Sequence, residues 1–198
     1  MAENLIPAWW ARLRGKLGAR PCPYRFAWAL DLPMRAWHAS PAKILGAFGL
    51  EPGERVLEIG PGTGYYSLPA SRLVGAEGAL VALDIQLAML LELRRRNAAA
   101  DGMPVLVVQA SAVEIPILTG SVDHVFLTTV LGEIPDRPRA LAEIRRVLRR
   151  GGRLSVSEQL PDPDYVALGT LRRELAPLGF VEERSRGWWT YTSTWTVT

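Results

Sequence analysis

Glycine stands at alternate positions in Gly60-Pro61-Gly62-Thr63-Gly64, directly after the apolar run Val56-Leu57-Glu58-Ile59. Such a run reads as a buried strand, and the residues after Tyr65 read as a helix. Side chains are missing where strand turns into helix, so a ligand can approach the backbone and the turn can take positive φ. The carboxyl end of a strand is also where α/β sheets bind ligands. Two acids flank this corner. Glu58 lies two residues before the first glycine, and Asp84 lies 24 residues after it, at the end of a second apolar run.

The spacing separates two ligand chemistries. A dinucleotide loop needs GxGxxG, whose third glycine lets helix and strand pack closely. Counting from Gly60, Tyr65 occupies that place. A carboxylate at Glu58 is unhelpful to a pyrophosphate and useful to an ammonium group. The pattern therefore favours an amino-acid nucleoside such as S-adenosylmethionine. Plainer roles stand beside this one: a tight turn for the glycines, an ion pair with Arg55 or a helix N-terminus for Glu58, and a helix cap for Asp84.

The segment EIGPGTGYYS resembles motif I of the class I S-adenosylmethionine-dependent methyltransferases, and the resemblance extends over about residues 41–198. Leu83-Asp84 is similar to that family's ribose-binding acid, and Ile85 would then pack on the adenine. Ala110-Ser111-Ala112-Val113-Glu114-Ile115-Pro116 resembles the GDAxxLP segment after the third strand. Ser111 departs from the aspartate often found there for the adenine amino group, which leaves the hydroxyl, a backbone carbonyl or a water to take that role. Residues 122–134 resemble the fourth strand and its loop, and residues 148–157, with Gly151-Gly152, resemble the turn into the fifth. The resemblance implies S-adenosylmethionine as cofactor, held by Glu58, Gly60, Pro61, Gly62, Gly64, Tyr65, Asp84, Ile85, Ser111, Ala112 and Thr128. One of Tyr65 and Tyr66 is expected over the methionine end and the other in the sheet.

Methyl transfer is an in-line displacement, so the protein mainly aligns donor and acceptor and keeps them dry. A base is needed only where the acceptor loses a proton. No residue stands out as that base; the candidates are His38 and Glu133, with Asp136 beside Glu133 at the expected acceptor pocket. His124 reads as a structural rim residue. Thr128-Thr129-Val130-Leu131 is not the (N/D)PP(Y/F) motif of nucleic-acid amino methyltransferases, and Cys22 alone cannot serve chemistry that needs several thiols. Quinone precursors, lipids or other small metabolites fit better as acceptors. A catalytically silent S-adenosylmethionine-binding module or partner subunit is the alternative, and a nicotinamide-dependent oxidoreductase is disfavoured by Tyr65.

Positioning this corner takes alternating strands and helices. Arg55–Ile59, Ala79–Leu83, Val105–Gln109, Val122–Thr128 and Arg153–Ser157 read as strands, with Gln86–Ala99 and Arg137–Arg149 as the clearest helices between them. Ser40-Pro41 reads as a helix start and Gly49 as its stop. Trp189, Tyr191, Ser193, Trp195 and Val197 alternate with threonines, the period of a half-covered strand paired with Gly179–Arg184. The expected fold is α/β: a Rossmann-like seven-stranded, mostly parallel sheet with helices on both faces, an antiparallel C-terminal hairpin and a helical N-terminal lid. One domain is expected over 1–198, with 1–40 as the appendage and 41–198 as the core.

The 198 residues are 48% apolar and 22% charged, ordinary for a globular protein rather than a disordered one. A net charge of +3 without basic stripes argues against nucleic acid; Arg94-Arg95-Arg96 reads as a solvated helix face. No metal site is expected from a single cysteine between prolines. The start lacks the pattern of a secretory signal, and no apolar run is long enough to span a bilayer, so a cytoplasmic location is expected. Trp9, Trp10, Phe26, Trp28 and Trp37 interleave with Arg12, Arg14, Lys16, Arg20, Arg25 and Arg35. That mixture suits peripheral membrane contact or a hydrophobic acceptor, or packing of the appendage onto the sheet. Trp188, Trp189 and Trp195 suggest sheet packing or a homodimer contact.

Overall fold

The computed structural model describes residues 40–100, 103–160, 162–187 and 190–198. The expected N-terminal lid up to residue 39, with Cys22, His38 and the N-terminal tryptophans, and Trp188 and Trp189 lie outside the described residues. The strands are β1 (Arg55–Ile59), β2 (Ala79–Asp84), β3 (Val105–Gln109), β4 (Val122–Thr128), β5 (Leu148–Gln159), β6 (Phe180–Arg186) and β7 (Thr190–Val197). They form one seven-stranded sheet in the order β3-β2-β1-β4-β5-β7-β6. β1 through β5 run parallel, and β7 is antiparallel to both β5 and β6. The parallel strands are largely apolar where helices cover them, with Glu58, His124 and Ser155 among the buried polar exceptions.

The helices are α1 (Pro41–Phe48), α2 (Ser67–Val74), α3 (Leu87–Ala98), α4 (Arg137–Val147) and α5 (Leu168–Leu175). α1, α2 and α3 bury Ile44, Leu45, Phe48, Ala70, Val74 and Leu93 against Val56, Leu80, Ala82 and Phe126. α4 and α5 bury Leu141, Ile144, Leu171 and Leu175 against the opposite face, with Leu57, Val125, Leu154, Val156, Tyr191 and Trp195. Local chemistry sets the helix ends. Ser40 and Pro41 open α1, although the Ser40 hydroxyl makes no capping bond, and Gly49 closes it at φ 66°. Asp136 caps α4 by accepting the Arg139 N–H at 3.2 Å.

The largest differences from the expected boundaries fall where α4 meets β5. α4 ends at Val147, not Arg149, and β5 begins at Leu148, not Arg153. Leu148 already pairs with Val122, and regular pairing resumes at Arg153 opposite His124. Gly151, at φ 68°, makes the irregular turn between those two points. The crossover from β3 to β4 carries no helix over residues 110–121, which leaves Leu106 and Leu118 exposed.

His124 is not at a rim. It is fully buried, and its Nε2 lies 2.8 Å from the Ser155 hydroxyl, which in turn lies 3.0 Å from Thr194 Oγ1. This column runs across β4, β5 and β7, and it buries Thr194 on the face expected to be open. Burial pushes the His124 pKa down despite Glu54, whose carboxylate is 3.6 Å away. Trp195 is also buried, its indole N–H donating to Ser193 Oγ, so it packs the α4/α5 side rather than facing outward.

The chain reverses direction across the sheet between β1 and β4. From β1 it moves through β2 to β3, then crosses back to β4. The loops after these two strands therefore diverge, and a crevice opens at their carboxyl ends. The turn Leu131–Glu133 after β4 rests on residues 162–166 after β5. A Cβ on Gly132 would stand 1.6 Å from the Asp164 carbonyl oxygen. Gly132→Ala is predicted to force these loops apart at a cost of about 1–3 kcal/mol. Thermal unfolding should fall by several degrees, at roughly 2–4 °C per kcal/mol for a chain of this size; an unchanged Tm would refute the close packing.

Candidate active-site cleft

The crevice encloses about 950 Å³ of space when its open, solvent-filled mouth is included. Gly60, Pro61, Gly62, Thr63 and Tyr65 form one lip, from β1 into α2. Leu83, Asp84, Ile85 and Met89 form the side under β2 and α3. Ala110, Ser111 and Ala112 close the end after β3, and residues 128–130 and 133–135 form the opposite lip after β4. The sequence candidates Gly60, Pro61, Gly62, Gly64, Tyr65, Asp84, Ile85, Ser111, Ala112, Thr128 and Glu133 thus gather at one end of the sheet, all but Gly64 on the wall itself.

The glycine loop takes φ of 70°, 55° and 95° at Gly60, Gly62 and Gly64, values that L side chains rarely adopt. At Gly60 space is also decisive: a Cβ would lie 2.4 Å from Val130 Cγ2 across the crevice. Behind the loop, Asp84 is held by two backbone donors. Gln86 N–H reaches Oδ1 at 2.8 Å and Gly62 N–H reaches Oδ2 at 3.4 Å. Burial raises its pKa, and these N–H groups oppose the shift. The capping role and the ligand role are therefore compatible, since each oxygen keeps a lone pair for the cleft. Ile85 is 54% exposed there, an apolar surface suited to a flat heterocycle. Ser111 accepts weakly from Val113 N–H at 3.4 Å.

Glu58 departs from expectation. It is buried beneath the glycine loop and absent from the cleft wall, and its carboxyl accepts the Ser67 hydroxyl at the start of α2. Burial pushes its pKa up to about 8, Ser67 opposes the shift, and Asp84 adds to it. Glu58 is thus a neutral acid near pH 7 that can ionise when a cation comes close. Asp136 faces α4 as its cap and does not line the cleft, whereas Glu133 does. Tyr66 packs into the α1–α3 side and Tyr65 stays half-buried at the cleft, their rings edge-to-face at 5.0 Å.

Thr63, Met89 and Thr129 are among the cleft residues that had not been singled out as ligand contacts. Thr63 sits inside the glycine loop, and Met89 stands one helical turn beyond Ile85, so position alone points to both. Thr129 carries φ 54° without being glycine, and no sequence signal marks such strain. Buried hydroxyls at Thr63 and Thr128 have no hydrogen-bond partner. A side-chain-free loop, a carboxylate with spare lone pairs, an exposed Ile85 and orphan hydroxyls fit an adenosine carrying an amino-acid tail. Among the described residues, no group of histidine, cysteine or acidic side chains could hold a metal ion.

Comparison with known proteins agrees with this geometry. Residues 57–156, half of the chain, match the family described as "Methyltransferase domain", and the chain belongs to the class I S-adenosylmethionine-dependent methyltransferases. It is 38% identical over 112 residues to the "Ubiquinone/menaquinone biosynthesis C-methyltransferase UbiE" of Vibrio campbellii, covering 56% of this chain and 43% of that protein. It is 41% identical over 113 residues to the protein of that name from Hahella chejuensis, covering 56% and 45%. The chain thus spans less than half the length of these curated relatives. A solved S-adenosylmethionine-dependent methyltransferase from Aquifex aeolicus shares the fold, with TM-score 0.82, 23% identity, and 89% and 100% of the two chains covered.

Two measurements test the site. Asp84→Ala should weaken S-adenosylhomocysteine binding by about 10- to 100-fold, the loss of hydrogen bonds to a charged acceptor, read by isothermal titration; an unchanged Kd would place the sugar elsewhere. Glu58→Gln tests the buried acid. In the unfolded chain Glu58 titrates near 4.5 and in the folded protein near 8. Unfolding between those values releases a proton, so the natural protein loses stability as pH rises through the window. The Tm of E58Q relative to the natural protein should climb from pH 5 to pH 8.5, and a flat difference would contradict the assignment.

Proposed function

We propose that this protein is a cytoplasmic S-adenosylmethionine-dependent methyltransferase acting on a small acceptor with apolar character, of the quinone-precursor kind. The observation that carries the reading is the cleft at the β1/β4 reversal, where the glycine loop, Asp84 and Ile85 meet. Bound S-adenosylmethionine supplies a methyl group already activated by its sulfonium. Asp84 holds the sugar hydroxyls, Ile85 and Met89 border the adenine, Ser111 and Ala112 read its edge, and Gly60 to Gly64 leave room for the amino-acid tail. Glu58, buried beneath the loop and held by Ser67, backs the corner where the ammonium would lie. Tyr65 excludes water from the methyl end.

The acceptor side faces Thr129, Val130, Glu133 and Ile134. Glu133 is the candidate base there among the described residues, and His38 remains a candidate from outside them. Relatives named for quinone biosynthesis support an acceptor of that class, as does the tryptophan- and arginine-rich segment before residue 40, proposed to meet the acceptor or a membrane surface. No helix among the described residues is long and apolar enough to cross a membrane. Residues 41–198 are proposed as the catalytic core.

The scarcity of bases in the cleft favours one second reading, a silent cofactor-binding subunit. Incubating the protein with methyl-tritiated S-adenosylmethionine and a cell extract separates the two. Label is expected in the organic-extractable fraction and should disappear with Asp84→Ala. Cofactor binding without labelling of any fraction would support the silent subunit, and label confined to RNA or protein would overturn the small-molecule acceptor.

A further inference from the structure

β7 sets threonine at every second position: Thr190, Thr192, Thr194 and Thr196. None of them lines the cleft. Thr194 stands in register with Arg184 of β6, and Thr192 with Arg186. Registered neighbours share a face of the sheet. That face lies under α1, where Arg184 donates to the Phe48 carbonyl at 2.8 Å. It continues into β5, where Ser157 pairs with Thr192 in register and keeps a buried hydroxyl without a partner. A sheet face under a helix is ordinarily apolar; this one carries hydroxyls and guanidinium groups.

A second pocket opens between this face and α1, with Gly46, Ala47, Arg184, Arg186, Thr192 and Thr194 on its wall. It encloses about 320 Å³ when its open mouth is included, and it shares no residue with the cleft. The room exists because α1 presents no side chain at Gly46, where a Cβ would meet nothing within 4 Å. The floor is fixed: Thr194 is 1% exposed, and its Oγ1 lies 3.0 Å from the Ser155 hydroxyl. Arg184 is pinned by one N–H to the Phe48 carbonyl, which offsets the negative end of α1. Its remaining N–H groups are left for a ligand. Arg186 is exposed and has no acidic partner among the described residues. The acids nearest in β6 are engaged elsewhere, Glu182 by Arg172 and Glu183 by the Thr196 hydroxyl. Lys43, exposed one helical turn before Gly46, adds a third cation on that side of α1. No acidic side chain is on the described wall. Two guanidinium forks over a floor of hydroxyls match the several oxygens of a phosphate group; an apolar or cationic ligand finds no partner there.

We infer that the pocket between α1 and the β6–β7 hairpin binds a phosphate group, at a site separate from the cleft and independent of what the cleft methylates. The test titrates the full chain with inorganic phosphate and follows the backbone amides of Ala47 and Thr192 by NMR, with sodium chloride at equal ionic strength as the control. Saturable shifts are expected with phosphate and not with chloride. Arg186→Gln should weaken binding by about tenfold, the loss of one charge-assisted hydrogen bond. Gly46→Leu fills the pocket without removing either arginine and should weaken it at least as much, whereas Gly46→Ala should retain it within about twofold. The S-adenosylhomocysteine Kd should stay the same in all three variants. Two further probes separate the sources of the phosphate. Saturation by glycerol phosphate identifies a soluble phosphomonoester. Flotation with phosphatidylcholine vesicles only when they contain phosphatidic acid, lost in G46L, identifies a lipid headgroup. Shifts that match those of chloride, or phosphate binding that survives in both R186Q and G46L, would overturn the inference.

Discussion

The close approach of Gly60 to Val130 is the constraint on which the cleft depends. Strand order reverses between β1 and β4, so the loops leaving them must part, yet their backbones start one strand spacing apart. Any side chain at Gly60 would meet Val130 within 2.4 Å. A corner without side chains is thus a condition of the sheet and of ligand access together. Around it, Asp84 is fixed by the N–H groups of Gly62 and Gln86, so the sugar-binding acid and the glycine loop hold one another in place. The site is preorganised by main-chain donors that do not depend on rotamers.

The opposite end of the strands is polar in another way. Arg153 pairs with Glu54 at 2.6 Å, and Asp123 receives Arg55 and Arg149. Burial opposes ionisation of Glu54, but the His124 ring 3.6 Å away and hydrogen bonds from the Glu51 N–H and Arg153 outweigh it and hold its pKa at about 2. Glu58 and Glu158, both near the cleft end, are pushed up to about 8 by burial. The same residue type is therefore charged at one end of the sheet and neutral at the other. Solvated cations stabilise the first group; the second waits on what enters the cleft. Glu158 accepts from Val166 N–H at 3.3 Å and so braces the wall that carries Glu133.

Much of this was legible in the sequence because the parallel strands are buried on both faces. Ala79–Leu83 has no polar face to confuse the reading, Val122–Thr128 carries its apolar run after Asp123 and His124, and Pro41 and Gly49 punctuate α1 plainly. The glycine loop and Asp84 announced themselves by type and spacing. Orientation was harder to read. Glu58 lies on the α2 side of β1 and under the loop, and a two-residue period cannot say which face meets the ligand. Asp136 looked like an acceptor contact and proved a helix cap, because both roles place an acid after a strand. His124 looked marginal because one polar residue in an apolar strand does not reveal that Ser155 and Thr194, distant in sequence, stand ready beside it. Strain at Thr129 and the orphan hydroxyl of Ser157 arise from tertiary contacts alone.

The interleaving of β7 has a consequence for how the sheet is assembled. β7 follows β6 in the chain but lies between it and β5. β6 and β7 can pair locally as a hairpin, with Arg186 opposite Thr192, but until β7 docks, β5 presents an open edge at Leu154 and Val156. The docking of β7 onto β5 spans a long stretch of sequence, Arg153 opposite Thr196 being one example. Such non-local closure is entropically slow. The half of the sheet next to the acceptor wall should be the last to consolidate, and a chaperone or a bound ligand acting there would influence yield more than one acting at β2 or β3.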